Sequence, residues 1–351
     1  MIDFFRFDTD ENRISLLARA RKVVLSALQE YDLEWVSIRF VQLSDTITYK
    51  IETGTAGKYL LRIHSDRLSI EEIRSEVTLL QALNKSEDLH LPEALASCSG
   101  AYVLQIDTEA GYRRPYVTLM RWVDGEHASG EFSDHTVHLM GVMMGRLHKA
   151  AVNFVPPSDF VRPVWGAESF SRQMAKLEQY YGCFLSGEAW RSYQAAAEKI
   201  ISELAVMERS GDNYGLIHAD LHSGNIVFNE DLPYPIDFGR CGFGYFLYDM
   251  AGSLLELYPK HRWLFIQGYE SVRKLETDYV KRLECFFVMF MIENYCHHAS
   301  DPRETASLIA EQPYAQAYIR DYLNDTRFLF QVIEPVEIDR TAILGRKDNG
   351  E

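Results

Sequence analysis

Across the second half of this 351-residue chain the apolar residues recur at helical spacing, with one interruption, and that interruption most narrows the choice of fold. Residues 215–239 read GLIHADLHSGNIVFNEDLPYPIDFG: a short strand-like run, a polar loop, the strand Ile226–Phe228, a turn, and a return strand ending Ile236-Asp237-Phe238-Gly239. Before this island, HTVHLMGVMMGRLHKAA, SFSRQMAKLEQYYGCF and EAWRSYQAAAEKIISELAVM each carry a helical apolar stripe. After it, helical spacing resumes from Tyr248 to about Phe330. A hairpin set in a helical body holds polar residues at strand ends and in turns, where a rigid framework aims them at one point.

The first part of the chain has a different rhythm. Residues 12–31 are spaced as a leading helix, and the pattern then changes to WVSIRFVQL, TITYKIET and KYLLRIH. TGTAGK is a turn signal that makes the last two a hairpin. SDRLSIEEIRSEVTLLQALNK reads as a helix capped by Ser69, with Glu71 and Glu72 favourable in its first turn. AYVLQID and YVTLMRW are strand-like, and Val123-Asp124-Gly125 breaks the pattern. The expected architecture is α+β: a small antiparallel-sheet lobe with one key helix over 1–121, and a large, mainly helical lobe over 122–351.

Composition excludes some functions. Lys plus Arg number 36 and Asp plus Glu 51, a net charge of -15, so a broad basic face for nucleic acid or anionic lipid is not expected. The N-terminus MIDFFRFDTDENRIS has acids where a signal peptide needs a basic start, and the apolar run Phe286–Ile292 is too short to span a bilayer. Cys98, Cys183, Cys241, Cys285 and Cys296 are scattered, without a C-x-x-C pair, which points to reduced, buried thiols in a cytoplasmic protein. Monomer and homodimer both remain open.

Chemistry concentrates in the island. Asp220 sits in a tight loop and can accept a hydroxyl proton, Asn225 offers a neutral amide oxygen, and Asp237 ends the return strand. Phosphoryl transfer needs this set, with one carboxylate to position the attacking hydroxyl and an amide and second carboxylate for Mg²⁺. H-x-D-x-x-x-x-N followed by D-F-G is the catalytic-loop and metal-loop pair of kinases. HADLHSGNIVF…IDFGRCGFGYFLYDMA closely resembles the aminoglycoside phosphotransferase and choline kinase superfamily, whose fold is protein-kinase-like and bilobal. Ala219 replaces the arginine usual in protein kinases, no A-P-E follows, and no long activation segment fits after Gly239.

The resemblance implies roles for named residues. Asp220 would be the catalytic base, with His218 bracing its loop and Asp249 pinning it from the following helix. Asn225 and Asp237 would ligate Mg²⁺, and ATP or GTP would be the donor. Arg62 stands where protein kinases carry the phosphate-binding lysine, and Glu76 is its expected helix partner. No G-x-G-x-x-G is present, so Ser44 and Thr46 of the hairpin Leu43–Thr48 are the expected phosphate contacts. Met120-Arg121-Trp122 lies where the hinge should bond adenine, although Trp122 also fits a core position.

The acceptor is expected in the helical lobe, near His222, Arg240 and Tyr245 and near Glu293, Asn294 and His297. A small hydroxylated metabolite, an amino alcohol or amino acid, is the favoured acceptor. Modification of an aminoglycoside or other antibiotic, a protein Ser/Thr hydroxyl, and a nucleotide-binding pseudokinase scaffold are the alternatives.

Overall fold

The computed structural model describes residues 2–54, 57–109, 111–128 and 130–338. The chain divides into two compact units. Met1–Gly125 with Phe154–Arg162 forms one, and Glu126–Asn153 with Pro163–Glu351 the other.

The first unit opens with α1 (Asp10–Leu28), capped by Thr9, whose side chain accepts the Asn12 N–H. Five antiparallel strands follow: β1 (Trp35–Leu43), β2 (Thr46–Thr53), β3 (Lys58–His64), β4 (Leu104–Gln105) and β5 (Tyr116–Arg121), in the order β1-β2-β3-β5-β4. α2 (Ile70–Leu83) leaves β3 through a full capping box, Ser69 with Glu72, as its sequence predicts. Strand alternation gives the sheet two unlike faces. Ile47, Tyr49, Ile51, Leu61, Ile63, Val117 and Leu119 pack with the apolar stripe of α1. Thr46, Thr48, Arg62, His64 and Thr118 alternate with them and are buried as well, with Thr48, Arg62 and Thr118 in lateral register.

AYVLQID contributes only the two residues of β4. Ile106 donates to the Pro115 carbonyl at 3.1 Å, but Pro115 has no N–H to return, and the ladder stops. The segment 154–162 belongs to the first unit, although it follows a helix of the second. Val161 N–H donates to Ser75 Oγ at 2.8 Å and Arg162 Nη1 to the Glu72 carbonyl at 3.1 Å.

The second unit contains α3 (Asp134–Val152), α4 (Ala167–Leu177), α5 (Gly187–Ala205), β6 (Tyr214–Ile217), β7 (Ile226–Asn229), β8 (Leu232–Pro235), β9 (Gly242–Tyr245), α6 (Phe246–Leu254), α7 (Pro259–Val272), α8 (Tyr279–His298) and α9 (Thr305–Leu323). β7 pairs with β8 and β6 with β9, both antiparallel, so the island is two small sheets. α8 is buried almost all round from Leu283 to Glu293. No helix of the described residues is long and apolar enough to cross a membrane. Cys241, Cys285 and Cys296 are buried thiols outside any disulfide, as expected, whereas Cys98 and Cys183 are exposed.

Candidate active site

The polar residues of the island are held by their own turn chemistry and by α6. After β6 the backbone enters a left-handed conformation at Ala219 (φ 65°), which a residue with a Cβ adopts only at a cost. Asp249 holds that shape from α6: Oδ1 accepts the Ala219 N–H at 2.7 Å and Oδ2 the His218 N–H at 2.8 Å. Ser253, one turn on, donates its hydroxyl to the Leu221 carbonyl at 2.5 Å, and Glu256 accepts the Ser223 N–H at 2.9 Å. The His218 ring donates from Nε2 to the Ile236 carbonyl at 2.9 Å and lies 4.5 Å from the Phe238 ring, so the loop after β6 is tied to the end of the β7–β8 hairpin.

Asp249 is fully buried. Burial alone would raise its pKa, but the His148 hydrogen bond and the two backbone donors outweigh that and hold it below the ordinary carboxylate value. His148 Nε2 donates to Asp249 Oδ2 at 3.0 Å, and Nδ1 meets the Tyr269 hydroxyl at 3.0 Å. Burial pushes the His148 pKa down against the pull of Asp249, so the pair is a neutral imidazole on a carboxylate.

Asp220 is partly buried. Asn225 ends a short 3-10 turn, and its Nδ2 donates to the Asp220 carbonyl at 2.8 Å and lies 3.3 Å from Asp220 Oδ2. That leaves Oδ1, a neutral oxygen, as the atom with which Asn225 can ligate a cation. His222 accepts the Gly224 N–H at Nδ1 (3.1 Å), with Nε2 3.2 Å from the Asn225 amide. Asp237 stands at the end of the hairpin in the left-handed region (φ 59°), where Asp is tolerated better than most residues. Among the described residues no three His, Cys, Asp or Glu converge on a metal position. One amide oxygen and one carboxylate suit Mg²⁺, which keeps several waters and takes further oxygens from substrate phosphates.

Arg240, in the turn after Asp237, leads away from Asp220 toward α8. Its Nη1 lies 3.1 Å from Asp220 Oδ1, and its guanidinium stands 4.8 Å from the Trp165 ring centre. Trp165 stacks near-parallel on Tyr248 at 6.1 Å, and Tyr248 donates its hydroxyl to Glu293 Oε2 at 2.5 Å. Glu293 is 3% exposed, and its Oε1 has no partner among the described residues. Burial pushes its pKa up to about 7, with Tyr248 and Arg240 opposing.

The other acceptor candidates are not brought to this chain of contacts. Tyr245 is core: it packs on Tyr214 and Phe286, and its hydroxyl donates to the Met207 carbonyl. Asn294 is half-buried and His297 exposed near the end of α8, because successive residues of a helix face different ways.

In the first unit, Arg62 Nη1 meets Glu76 Oε1 at 2.5 Å, both side chains being at most 5% exposed. Thr46 is buried on the same sheet face, while Ser44 is exposed at the hairpin tip. At the expected hinge, Trp122 has its backbone N–H engaged within the first unit. Its N–H already donates to the Lys58 carbonyl at 3.0 Å, and the Arg121 N–H to Glu93 at 2.8 Å. The Met120 backbone pairs with Leu60 and bridges to Ala94. Trp122 instead offers its ring to Lys50, 5.0 Å away.

Sequence reasoning missed His148, Tyr248, Trp165, Ser253 and Glu256. One signal was present for His148: it continues the buried stripe Val137–Met140–Met144 of α3, where a histidine needs a polar partner.

Residues 40–279 match the phosphotransferase enzyme family. The chain belongs to that family. It is therefore a phosphotransferase that acts on a hydroxyl group, and the expected α+β, protein-kinase-like fold is the one observed. An uncharacterised protein of Synechocystis is 29% identical over 255 residues, covering 70% of this chain and 69% of its own. Amicoumacin kinase of Bacillus subtilis is 22% identical over 240 residues, 68% of each. Two solved structures share the fold. A microcompartment-associated aminopropanol kinase superposes with a TM-score of 0.75 at 23% identity, over 88% of this chain and 99% of that one. The amicoumacin kinase hAmiN gives 0.74 at 20%, over 90% and 96%.

Proposed function

We propose that this phosphotransferase is a Mg²⁺-dependent kinase that moves the γ-phosphoryl group of ATP or GTP to the hydroxyl of a small amine-bearing molecule, an amino alcohol or amino acid. The observation that carries the choice of acceptor is Glu293. A buried carboxyl with one oxygen left without a partner is costly unless a ligand completes it, and an ammonium group is the complementary ligand. Trp165 and Tyr248, stacked between Arg240 and Glu293, give that ammonium an aromatic wall. Aminopropanol, named for one relative, is such an acceptor.

In this reading Asp220 accepts a hydrogen bond from the acceptor hydroxyl and takes its proton as the new O–P bond forms and the bond from the γ-phosphorus to the bridging oxygen breaks, releasing the nucleoside diphosphate. Asn225 Oδ1 and the Asp237 carboxylate would hold Mg²⁺, which would neutralise charge on the phosphates. Arg62, fixed by Glu76, binds the nucleotide phosphates from the first unit, and Thr46 adds a hydroxyl on the same face. His218 and Asp249 act through the backbone and keep Asp220 in place. Little covalent work falls to the protein, so the geometry of Asp220 is its main contribution.

A second reading, phosphorylation of an aminoglycoside or other antibiotic, is supported by one observation: a relative aligned over 68% of the chain is named amicoumacin kinase. A γ-phosphate transfer screen read by mass spectrometry separates the two. It offers ATP and GTP with Mg²⁺ to amino alcohols, amino acids, sugars and antibiotics, with Asp220→Asn as control. A phosphorylated amino alcohol or amino acid that vanishes with Asp220→Asn supports the proposal. Products only from antibiotics, or only from neutral sugars, refute it.

A further inference from the structure

The contacts behind the loop that carries Asp220 do not end at His148. Asp249 is an ionised carboxylate and only accepts hydrogen bonds, so Nε2, the His148 nitrogen that faces it, carries the ring's proton. The ring is neutral, which leaves Nδ1 a bare acceptor in the core. His148 is fully buried and Tyr269 is 1% exposed, so neither ring is open to water. The Tyr269 hydroxyl, 3.0 Å from Nδ1, is the donor that meets it. Arg273, just past the end of α7, lies within electrostatic reach of that hydroxyl. A cation there favours the arrangement in which the tyrosine oxygen faces Arg273 and its proton is turned toward the imidazole.

Packing limits the movement of both rings. α3 and α7 approach so closely at Gly145 that a Cβ there would stand 3.2 Å from the Tyr269 carbonyl oxygen. The His148 ring lies 4.5 Å from the ring of Phe246. A single hydrogen bond at Nε2 leaves the imidazole able to turn about it, and the bond at Nδ1 fixes the orientation. One line of hydrogen bonds therefore runs from Tyr269 through His148 and Asp249 to the N–H groups of His218 and Ala219. All of it lies within the second unit. Ala219, at φ 65°, is the residue whose backbone needs holding, and Asp220 follows it.

We propose that Tyr269 is a positioning residue of this phosphotransferase: through His148 it fixes Asp249, and through Asp249 the backbone at 218–220 that aims Asp220. The link to turnover rests on the reading of Asp220 as the base; the link to the backbone rests on the hydrogen bonds alone.

Hydrogen exchange and kinetics of the full chain test it with Tyr269→Phe, His148→Gln and the double variant. Tyr269→Phe keeps the ring and deletes only the donor. The His218 and Ala219 amides should then exchange about tenfold faster, the scale of one buried hydrogen bond, while amides in the middle of α8 keep their native rates. With Mg-ATP and aminopropanol, kcat should fall about tenfold and KM for ATP should stay within about twofold, because the line of contacts bears on the base alone. The double variant should be no slower than His148→Gln, since Tyr269 acts through that ring. Native exchange at 218 and 219 in Tyr269→Phe overturns the proposal. Faster exchange along α8 as well makes Tyr269 a general support of the fold and overturns it too, as does a double variant whose losses add. Faster exchange at 218 and 219 with native kcat takes Tyr269 out of the reaction and overturns the proposal while the kinase reading stands. If Asp220→Asn keeps native turnover, the reading of Asp220 as the base falls, and exchange at 218 and 219 still decides whether Tyr269 holds the loop.

Discussion

Asp249 Oδ1 accepts the backbone N–H of Ala219 at 2.7 Å, and Ala219 is the residue held at φ 65° beside Asp220. A fully buried carboxylate thus stabilises the backbone shape that aims the candidate base. Asp249→Asn keeps the size but loses the charge and one acceptor, and faces the His148 N–H with an amide. It should cost about 3 kcal/mol of stability by urea denaturation, the scale of a broken buried network. The Asp249 carboxyl titrates below its ordinary 3.8 in the fold, so its stabilisation is complete above that pH and is lost as pH falls through the lower folded value. The acid limb of stability should therefore be shallower in Asp249→Asn.

Glu293 has the opposite sign. Its folded pKa of about 7 lies above the ordinary 4.5, so the folded state holds its proton longer than the unfolded chain does. Stability from this group is full below pH 4.5, declines as pH rises toward 7, and then stays low. The total is roughly 3 kcal/mol, from about two and a half units at 1.36 kcal/mol each. Glu293→Gln should remove this slope and be more stable than the native chain at pH 8. It should also raise KM for an amine-bearing acceptor by about tenfold or more, the direction expected when a binding carboxylate is lost. Thermal melts from pH 4.5 to 8, with acceptor kinetics, check both; a native slope in Glu293→Gln would reject the assignment.

The placement of Asp220, Asn225 and Asp237 around one hairpin was legible in the sequence because their spacing is local and the hairpin is short. Arg62 and Glu76 were picked out by the family resemblance together with period, one on an alternating strand and one on the buried stripe of α2. Tyr245 was named only with the segment Arg240–Tyr245; its own setting was not legible, because β9 turns its ring into the core. Arg162 and Trp165 left no local signal. They act across contacts separated by 90 and 75 residues, which no pattern in a short window encodes. Asp249 was expected from its motif, but its partner His148 lies 101 residues away.

The buried pair Arg62–Glu76 makes a third prediction. Glu76→Ala removes a buried carboxylate that lies against the buried guanidinium of Arg62. It should cost about 3–5 kcal/mol, and saturating Mg-nucleotide should restore part of that, because phosphate supplies the missing negative charge. Glu76→Gln, which keeps the hydrogen-bond acceptor, should lose less. Melting temperatures with and without AMP-PNP check it: equal losses in both conditions would argue against a phosphate at this position.

The packing of α3 on α7 gives a prediction independent of chemistry. A Cβ at Gly141 would collide with the Phe265 carbonyl, and one at Gly268 with the His138 carbonyl, so each helix offers a glycine where the other's backbone comes closest. Backbone carbonyls inside helices cannot rotate away as a side chain can, and the helices must separate to admit a methyl group. Alanine is ordinarily better than glycine in a helix by about 1 kcal/mol, so propensity alone forecasts that Gly141→Ala and Gly268→Ala stabilise the chain. The collision should reverse the sign, with a loss of about 3 kcal/mol each, the upper range for overpacked sites. The double variant should lose less than the sum, since one separation of α3 from α7 relieves both clashes. Separation would also shift His148 on α3 away from Tyr269 on α7, so chemical denaturation of the three variants should be paired with phosphotransfer rates. Either single variant as stable as the native chain would rule out the close approach.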